Sequence, residues 1–120
     1  MANLIDLMTF SDARGNLTVI EKVLPFAVKR IFYIYGVDDS VRGGHRHHKT
    51  SQAVIALCGS CTVRSHDGEK EEIFELNKPN RCLILQPGDW HQMYNFSKDA
   101  VLMVLASTHF DPSDYIFEKY

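Results

Sequence analysis

The sequence has no long hydrophobic run and no excess of charge of either sign. Its longest apolar runs, residues 53–57 and 101–106, fall far short of the roughly 20 residues that span a bilayer. Thirteen Lys and Arg residues are balanced by 15 Asp and Glu residues, which leaves no broad basic surface for a nucleic-acid duplex or an anionic membrane. We therefore expect no nucleic-acid partner and no membrane partner, and we expect a small-molecule partner instead.

Cysteine is also scarce. Cys58, Cys61 and Cys82 are an odd number in a 120-residue chain, which can bury a core without disulfides. Cys58 and Cys61 have C-x-x-C spacing, but they lie between strand-like runs and no second pair completes a zinc site, so we interpret them as thiols flanking a turn. The first ten residues include Asp6 and lack a basic start, unlike a signal peptide. We expect free thiols and a cytoplasmic protein.

Turn-forming pairs such as Gly43-Gly44, Asp67-Gly68 and Pro87-Gly88 recur at short intervals. Asp67-Gly68 predicts a hairpin. Helical character is confined to the C-terminus, where Asp111 and Pro112 predict a capped short helix running toward Phe117. The pattern predicts one all-β domain over residues 1–120, a jelly roll or small barrel that can hold one ligand. The eight predicted strands are residues 17–21, 28–35, 53–57, 61–65, 71–76, 82–85, 91–96 and 101–106.

Histidines carry the most informative pattern. On an extended strand, His45 and His47 share one face, because residues i and i+2 point the same way. Gln52 and Gly59 follow at H-x-H-x4-Q-x6-G spacing, and a second segment supplies Pro87-Gly88, His91 and Asn95. The two segments resemble, in order, the two motifs of the cupin superfamily. This resemblance implies a cupin jelly-roll β-barrel.

Gln52 departs from the cupin pattern, which has Glu at this position, and Arg81 replaces a Gly. A cupin metal site uses three His nitrogens and one carboxylate, whereas a neutral amide is a weaker ligand and neutralises no charge. We therefore expect no metal cofactor and favour acid–base chemistry without one. A site with three His ligands alone remains an alternative.

A closer resemblance covers nearly the whole chain. Residues 29–35, 42–49, 87–93, 101–107 and 111–116 are similar to segments of the WxcM-like sugar-nucleotide 3,4-ketoisomerases. The resemblance implies an enzyme that moves the carbonyl of dTDP-4-keto-6-deoxy-D-glucose from C4 to C3, giving a dTDP-3-keto-6-deoxyhexose, with no metal requirement. The bulky Arg46 between the two His, and the length of the loop between Tyr33 and Arg42, depart from the family pattern.

The resemblance also implies roles for individual residues. His47 is the expected base at C3, and His45 and Tyr33 are expected in the proton relay and in stabilisation of the oxyanion. Histidine suits this chemistry because its pKa lies near working pH. Arg42 is expected to orient the catalytic pair or to bind the pyrophosphate through its planar guanidinium.

Five more residues are expected to bind the substrate, and four of them have a structural alternative. Arg30 could instead form a salt bridge at the rim, Trp90 and Tyr35 could be core residues, and His91 could serve packing alone. Gln52 supplies a neutral hydrogen-bonding group. Two other functions stay open: a metal-dependent cupin enzyme, and a cupin that binds a nucleotide sugar without reacting.

The N-terminal segment, residues 3–10, is apolar and carries few charges that would discourage strand pairing. Members of the family it resembles are homodimers in which such strands add to the partner's sheet. We therefore expect a homodimer whose interface includes residues 3–10. The alternative is that this segment pairs within its own chain.

Overall fold

The computed structural model describes all residues, 1–120. It contains twelve strands and one 3-10 helix, and none of its elements is a helix that is long and apolar enough to cross a membrane. The strands are rich in β-branched and aromatic residues, which suit a pleated surface. In chain order they are β1 (Asn3–Asp6), β2 (Met8–Asp12), β3 (Gly15–Val19), β4 (Arg30–Ile34), β5 (Arg42–His47), β6 (Gln52–Cys58), β7 (Cys61–His66), β8 (Glu71–Leu76), β9 (Arg81–Leu85), β10 (Trp90–Tyr94), β11 (Val101–Ala106) and β12 (Tyr115–Ile116).

Ten strands form two five-stranded antiparallel sheets. The first sheet has the order β1-β9-β6-β11-β4, and the second has the order β12-β5-β10-β7-β8. Val54, Leu83 and Leu102 of the first sheet pack in one buried cluster with Val63 and Met93 of the second. Each fully buried aliphatic side chain of this kind contributes roughly 2 kcal/mol to stability. The expected all-β, jelly-roll architecture is confirmed.

A second apolar cluster lies on the outer face of the first sheet. Ile55, Ile84 and Leu105 belong to it, and Leu7 and Phe26 cover them from segments outside the sheet. An antiparallel strand with one solvated face alternates between buried and exposed residues. The first five residues of β6 are all buried instead, because both of its faces are covered.

The N-terminal segment divides into two parts. β1 pairs with β9 of the same chain, so residues 3–6 follow the intrachain alternative. β2 pairs only with β3, and the two form a hairpin that joins neither sheet. Met8, Phe10 and Leu17 of this hairpin are exposed apolar side chains.

The hairpin predicted at Asp67-Gly68 is confirmed, with a longer loop than two residues. β7 and β8 pair up to His66 opposite Glu71, and residues 67–70 connect them. The Asp67 carboxylate accepts the backbone N–H of Lys70 within this loop. Gly68 has φ of 102°, a conformation that glycine adopts without strain.

The predicted C-terminal helix starts where expected but is far too long. Asp111 caps it by accepting the Ser113 N–H, and the helix is the single 3-10 turn Pro112–Asp114. The chain then becomes extended, because Tyr115 of β12 pairs with His47 of β5. Backbone hydrogen bonds to the open edge of the second sheet replace those that a longer helix would have made.

Candidate active site

Three histidines meet where β5 and β10 pair. His45 is the cross-strand partner of His91, and His47 follows two residues later on the same face of β5. The His45 ring centroid lies 5.0 Å from that of His47 and 4.8 Å from that of His91. Tyr115 of β12 packs against both members of the β5 pair, at 4.6 Å from His45 and 4.7 Å from His47.

A glycine allows this close approach of the two strands. The register between β5 and β10 shifts here, because His91 pairs with His45 and Gln92 pairs with Gly43, which leaves Gly44 as an extra residue on β5. Gly43 has φ of 84°, and a Cβ atom there would lie 2.9 Å from the His91 carbonyl oxygen. The position therefore requires glycine for its conformation and for space.

A cavity of about 310 Å³ opens between the two sheets beside the histidines. Apolar side chains form its inner wall, and His45, His91 and Gln52 form a polar end. Such a volume is at the small end of the range for ligand pockets and suits a sugar ring. The remaining lining residues are Arg30, Phe32, Tyr33, Ile34, Arg42, Gly43, Val54, Met93, Val104 and Tyr115.

His47 lies behind this cavity. It lines a very small adjoining hollow that shares Arg30, Gln52 and Tyr115 with the larger cavity. The side chain is buried, its Nδ1 lies 3.1 Å from an oxygen of Asp114, and its Nε2 has no hydrogen-bonding partner. A buried polar atom without a partner is costly and is often tied to function.

The surroundings of all three imidazoles favour their neutral forms. Burial, with the positive charge of neighbouring histidines as a smaller cause, lowers the pKa of His91 to about 3 and that of His45 to about 4. Burial also lowers the pKa of His47, although Asp114 acts in the opposite direction. Neutral imidazoles can accept protons, as a general base must.

Two arginines supply positive charge. Arg30 forms no ion pair, and its guanidinium packs over the rings of Phe32, at 4.5 Å, and Phe110, at 5.3 Å. Arg30 therefore does not form the salt bridge at the rim that was its structural alternative. Arg42 borders both the cavity and an adjacent hollow of about 210 Å³ that includes Tyr35.

Three aromatic residues from the sequence prediction lie outside the polar end of the cavity. Alternation along β4 directs Phe32 and Ile34 inward, so Tyr33 borders the cavity while its side chain is 64% exposed. Its ring stacks on that of Tyr35, at 5.8 Å, and contacts neither imidazole of β5. Trp90 is buried beneath the Lys119 ammonium and does not line the cavity.

Arg46 points away from the histidines, as alternation on β5 requires. Its guanidinium lies 3.8 Å from the Tyr120 ring centroid, and its Nε donates to the Glu118 carbonyl oxygen at 3.0 Å. The Tyr120 hydroxyl in turn donates to the carbonyl oxygen of Gly88. Arg46 thus fastens the C-terminal tail, residues 115–120, against the sheet.

Sequence reasoning did not assign a role to Asp114, Thr50 or Tyr115. Asp114 is 67 residues from His47 along the chain, so no local spacing links the two. Tyr115 reaches the site only through the pairing of β12 with β5. The one available signal was the similarity of residues 111–116 to the ketoisomerase pattern.

The three imidazoles are also arranged so that they could hold a divalent metal. Their nearest ring nitrogens all lie within 4.8 Å of one another, and His47 Nε2 is free of other partners. Three histidines suffice for some catalytic zinc sites, where the metal polarises a carbonyl oxygen. The cluster contains no carboxylate, because Gln52 lies beside it where the cupin pattern has Glu.

Known proteins resemble the chain over its full length. The family model FdtA, described as WxcM-like, C-terminal, matches residues 1–120. A curated TDP-4-oxo-6-deoxy-alpha-D-glucose-3,4-oxoisomerase from Aneurinibacillus thermoaerophilus is 40% identical over 124 residues, covering 97% of this chain and 89% of the relative.

Solved structures agree with this match. QdtA, a sugar 3,4-ketoisomerase from Thermoanaerobacterium thermosaccharolyticum in complex with TDP, is 42% identical with a TM-score of 0.93, over 98% of this chain and 88% of that one. A 3,4-ketoisomerase from Helicobacter canadensis is 37% identical with a TM-score of 0.93, over 98% and 90% of the two chains. The sequence, the fold and the histidine site lead to one assignment: the chain belongs to the WxcM-like family of the FdtA model.

Proposed function

We propose that this protein is a sugar-nucleotide 3,4-ketoisomerase that converts TDP-4-keto-6-deoxyglucose to a TDP-3-keto-6-deoxyhexose within a single cupin domain. The observation that carries the proposal is the pair of imidazoles of His45, which lines a sugar-sized cavity, and His47, which lies directly behind it, together with an arginine of the same cavity that forms no ion pair. The 40% identical oxoisomerase supports the same reaction.

The reaction needs a base, an oxyanion site and an acid. His47 Nε2 takes the proton from C3, and the electrons of that C–H bond form a C3=C4 double bond while the C4 oxygen becomes an enediolate. Arg30 and Gln52 stabilise the charge on this oxygen. The proton of the C3 hydroxyl passes to the C4 oxygen, and its O–H electrons form the new C3 carbonyl. The C3=C4 electron pair takes a proton at C4 that His45 delivers from solvent, and His47 releases its own proton to solvent, so that the enzyme ends unchanged. Because His47 Nε2 is buried and the hollow beside it is very small, the sugar can contact it only if the side chains that both hollows share, Arg30, Gln52 and Tyr115, move on binding.

The nucleotide extends outward from the cavity in this proposal. Arg42, at the border of two hollows, meets the pyrophosphate. The stacked rings of Tyr33 and Tyr35 lie at the rim and contact the nucleotide portion. A part for Tyr33 in the proton relay stays a prediction, since Tyr33 borders the cavity that His45 also lines. His91 closes the inner end beside His45.

An NMR time course with TDP-4-keto-6-deoxyglucose in D2O tests the activity. We expect incorporation of deuterium into the sugar and appearance of a 3-keto sugar nucleotide. Binding of the sugar nucleotide with no exchange at high protein concentration would support a non-catalytic binding protein and refute the isomerase.

The role of His47 is tested by His47→Asn, which we expect to lower turnover by about 10²- to 10⁴-fold while TDP binding persists. His48→Asn is the matched control, because His48 is the exposed neighbour on the same segment. Circular dichroism excludes loss of the fold. A His47→Asn protein with more than half of the wild-type rate would show that His47 is not the base.

A metal-dependent reaction is the second candidate, since the three imidazoles are close enough to share one ion. We expect activity to survive prolonged treatment with EDTA, because the chemistry proposed above uses only protein groups. Loss of activity, with recovery on adding back one divalent ion, would establish the metal enzyme instead.

We also propose a cytoplasmic homodimer. The support is the hairpin of β2 and β3, which joins neither sheet, since an isolated two-stranded hairpin is marginally stable at best. Phe10 and Met8 on this hairpin are exposed. An apolar hollow of about 290 Å³, lined by residues that include Phe26 and Ile31, adds uncovered apolar surface on the outer face of the first sheet. A closed two-fold pairing would cover both features.

Sedimentation equilibrium at micromolar concentration tests the dimer. We expect twice the chain mass of 13.7 kDa. Phe10→Glu should yield the monomer, whereas Ile73→Glu should not, because Ile73 is equally exposed but lies on β8 of the second sheet. A wild-type monomer would refute the dimer, and a Phe10→Glu dimer would refute the part assigned to the hairpin.

A further inference from the structure

A buried carboxylate lies directly behind His47, on the side away from the cavity. Asp114 ends the 3-10 turn and is only 7% exposed. One carboxylate oxygen, Oδ2, lies 3.1 Å from His47 Nδ1 and accepts the Thr50 hydroxyl at 2.5 Å. The other oxygen, Oδ1, accepts the backbone N–H of Lys49 at 2.8 Å.

The hydrogen bonds of these groups determine which nitrogen of His47 carries the proton. An ionised carboxylate can only accept hydrogen bonds, so His47 Nδ1 must carry a proton and donate it. A neutral imidazole has one proton, and Nε2 is therefore left with a lone pair. The Thr50 hydroxyl donates its proton to Asp114, so it accepts the proton of the Thr108 hydroxyl, at 2.6 Å.

Asp114 is built to stay ionised in this place. Burial acts to raise its pKa, but hydrogen bonds from Thr50 and from the Lys49 N–H outweigh burial and leave the pKa below its usual value. A fixed negative charge next to Nδ1 favours the imidazolium that forms when Nε2 takes a proton. The unpartnered Nε2 is the only ring atom of His47 that remains free to do so.

We propose that Asp114 is a positioning residue that holds His47 in the tautomer with an unprotonated Nε2 and stabilises its imidazolium during the reaction. This inference rests on the proposed role of His47 as the base. It predicts a specific consequence of replacing the carboxylate with an amide. In Asp114→Asn, the backbone N–H of Lys49 still requires an acceptor, so the amide oxygen occupies the Oδ1 position. The amide NH2 then faces His47 Nδ1, which must become an acceptor, and the ring proton moves to Nε2.

Long-range 1H–15N correlation spectra of 15N-labelled protein report the tautomer of each histidine, with His47→Gln used to assign the His47 signals. We expect the Nδ1–H form in the wild type and the Nε2–H form in Asp114→Asn. We expect kcat of the variant to fall by roughly 10²- to 10⁴-fold, with little change in KM or in TDP binding. Asp111→Asn is the matched control, because Asp111 caps the same turn but does not touch His47.

The outcomes separate this inference from the proposed function. Nε2–H in wild-type His47, or an Asp114→Asn enzyme with more than half of the wild-type kcat, would overturn the positioning role. If Asp114→Asn fails to fold, the wild-type spectrum still decides the tautomer. A wild-type protein that shows the Nδ1–H tautomer but does not isomerise TDP-4-keto-6-deoxyglucose would refute the proposed function and leave the tautomer assignment intact.

Discussion

Acidification from pH 7 to pH 5 should destabilise this protein through His91. The side chain is 2% exposed, and burial lowers its pKa to about 3, against the usual 6.5 that the unfolded chain retains. Between these two values the unfolded state binds a proton that the folded state does not, so the free energy of unfolding falls as pH falls. Integration over this pH range gives a loss of about 2 kcal/mol from His91 alone. His45 adds to the loss in the same direction, because burial lowers its pKa as well.

Urea unfolding followed by far-UV circular dichroism, at one protein concentration and one ionic strength, measures this loss. We expect His91→Gln to lose about 2 kcal/mol less than the wild type between pH 7 and pH 5, because its side chain does not titrate. His48→Gln should behave like the wild type, since His48 is exposed. The quantity compared is the change in the free energy of unfolding between pH 7 and pH 5. A packing defect of the variant lowers stability at both pH values and therefore cancels. Equal losses in the wild type and in His91→Gln would refute the reasoning.

Two further predictions concern backbone and tail. Gly43→Ala should lower the free energy of unfolding by roughly 1–3 kcal/mol, and by more than Gly36→Ala, because both positions have positive φ but only Gly43 would place a Cβ against the His91 carbonyl. Urea unfolding of both variants measures the difference, and equal losses would contradict the clash. Arg46→Ala should speed amide hydrogen exchange in residues 115–120, because it removes a cation–π contact with Tyr120 worth about 1 kcal/mol. Unchanged exchange there, measured by mass spectrometry, would show that Arg46 does not hold the tail.

Most strands were predictable from sequence because they are continuous runs of β-prone residues between turns. The eight predicted runs correspond to β3, β4 and β6 to β11. β12 was missed because a two-residue strand is defined only by its partner, β5, which is distant in the chain. Strand pairing of the N-terminal segment was expected, but local sequence could not identify β9 as the partner of β1. The predicted length of the helix after Pro112 was wrong for the same reason, because local capping signals carry no information about a distant sheet edge.

The site was predictable where it depends on local spacing. His45 and His47 share a face because residues two apart on a strand always do, and they lie together as expected. The direction of the Tyr33 side chain was harder to predict. Residues 31–35 are all apolar or aromatic, so no polar alternation indicates which face of the strand points inward. The pairing of β4 with β11 directs Phe32 inward and leaves Tyr33 exposed at the border of the cavity. Asp114 could not be linked to His47 by any spacing.

Because β12 is so short, heating should inactivate the enzyme before the domain unfolds. The C-terminal tail, together with Asp114 just before it, is held to the sheet by a two-residue strand, by the hydrogen bonds of Asp114 and by the contacts of Arg46. Segments with so little buried contact open at a smaller free energy than the whole domain. Undocking would remove the groups behind and beside His47 while both sheets remain folded. Inactivation on heating should therefore precede loss of β-structure, and activity should return on cooling as long as the sheets stay intact.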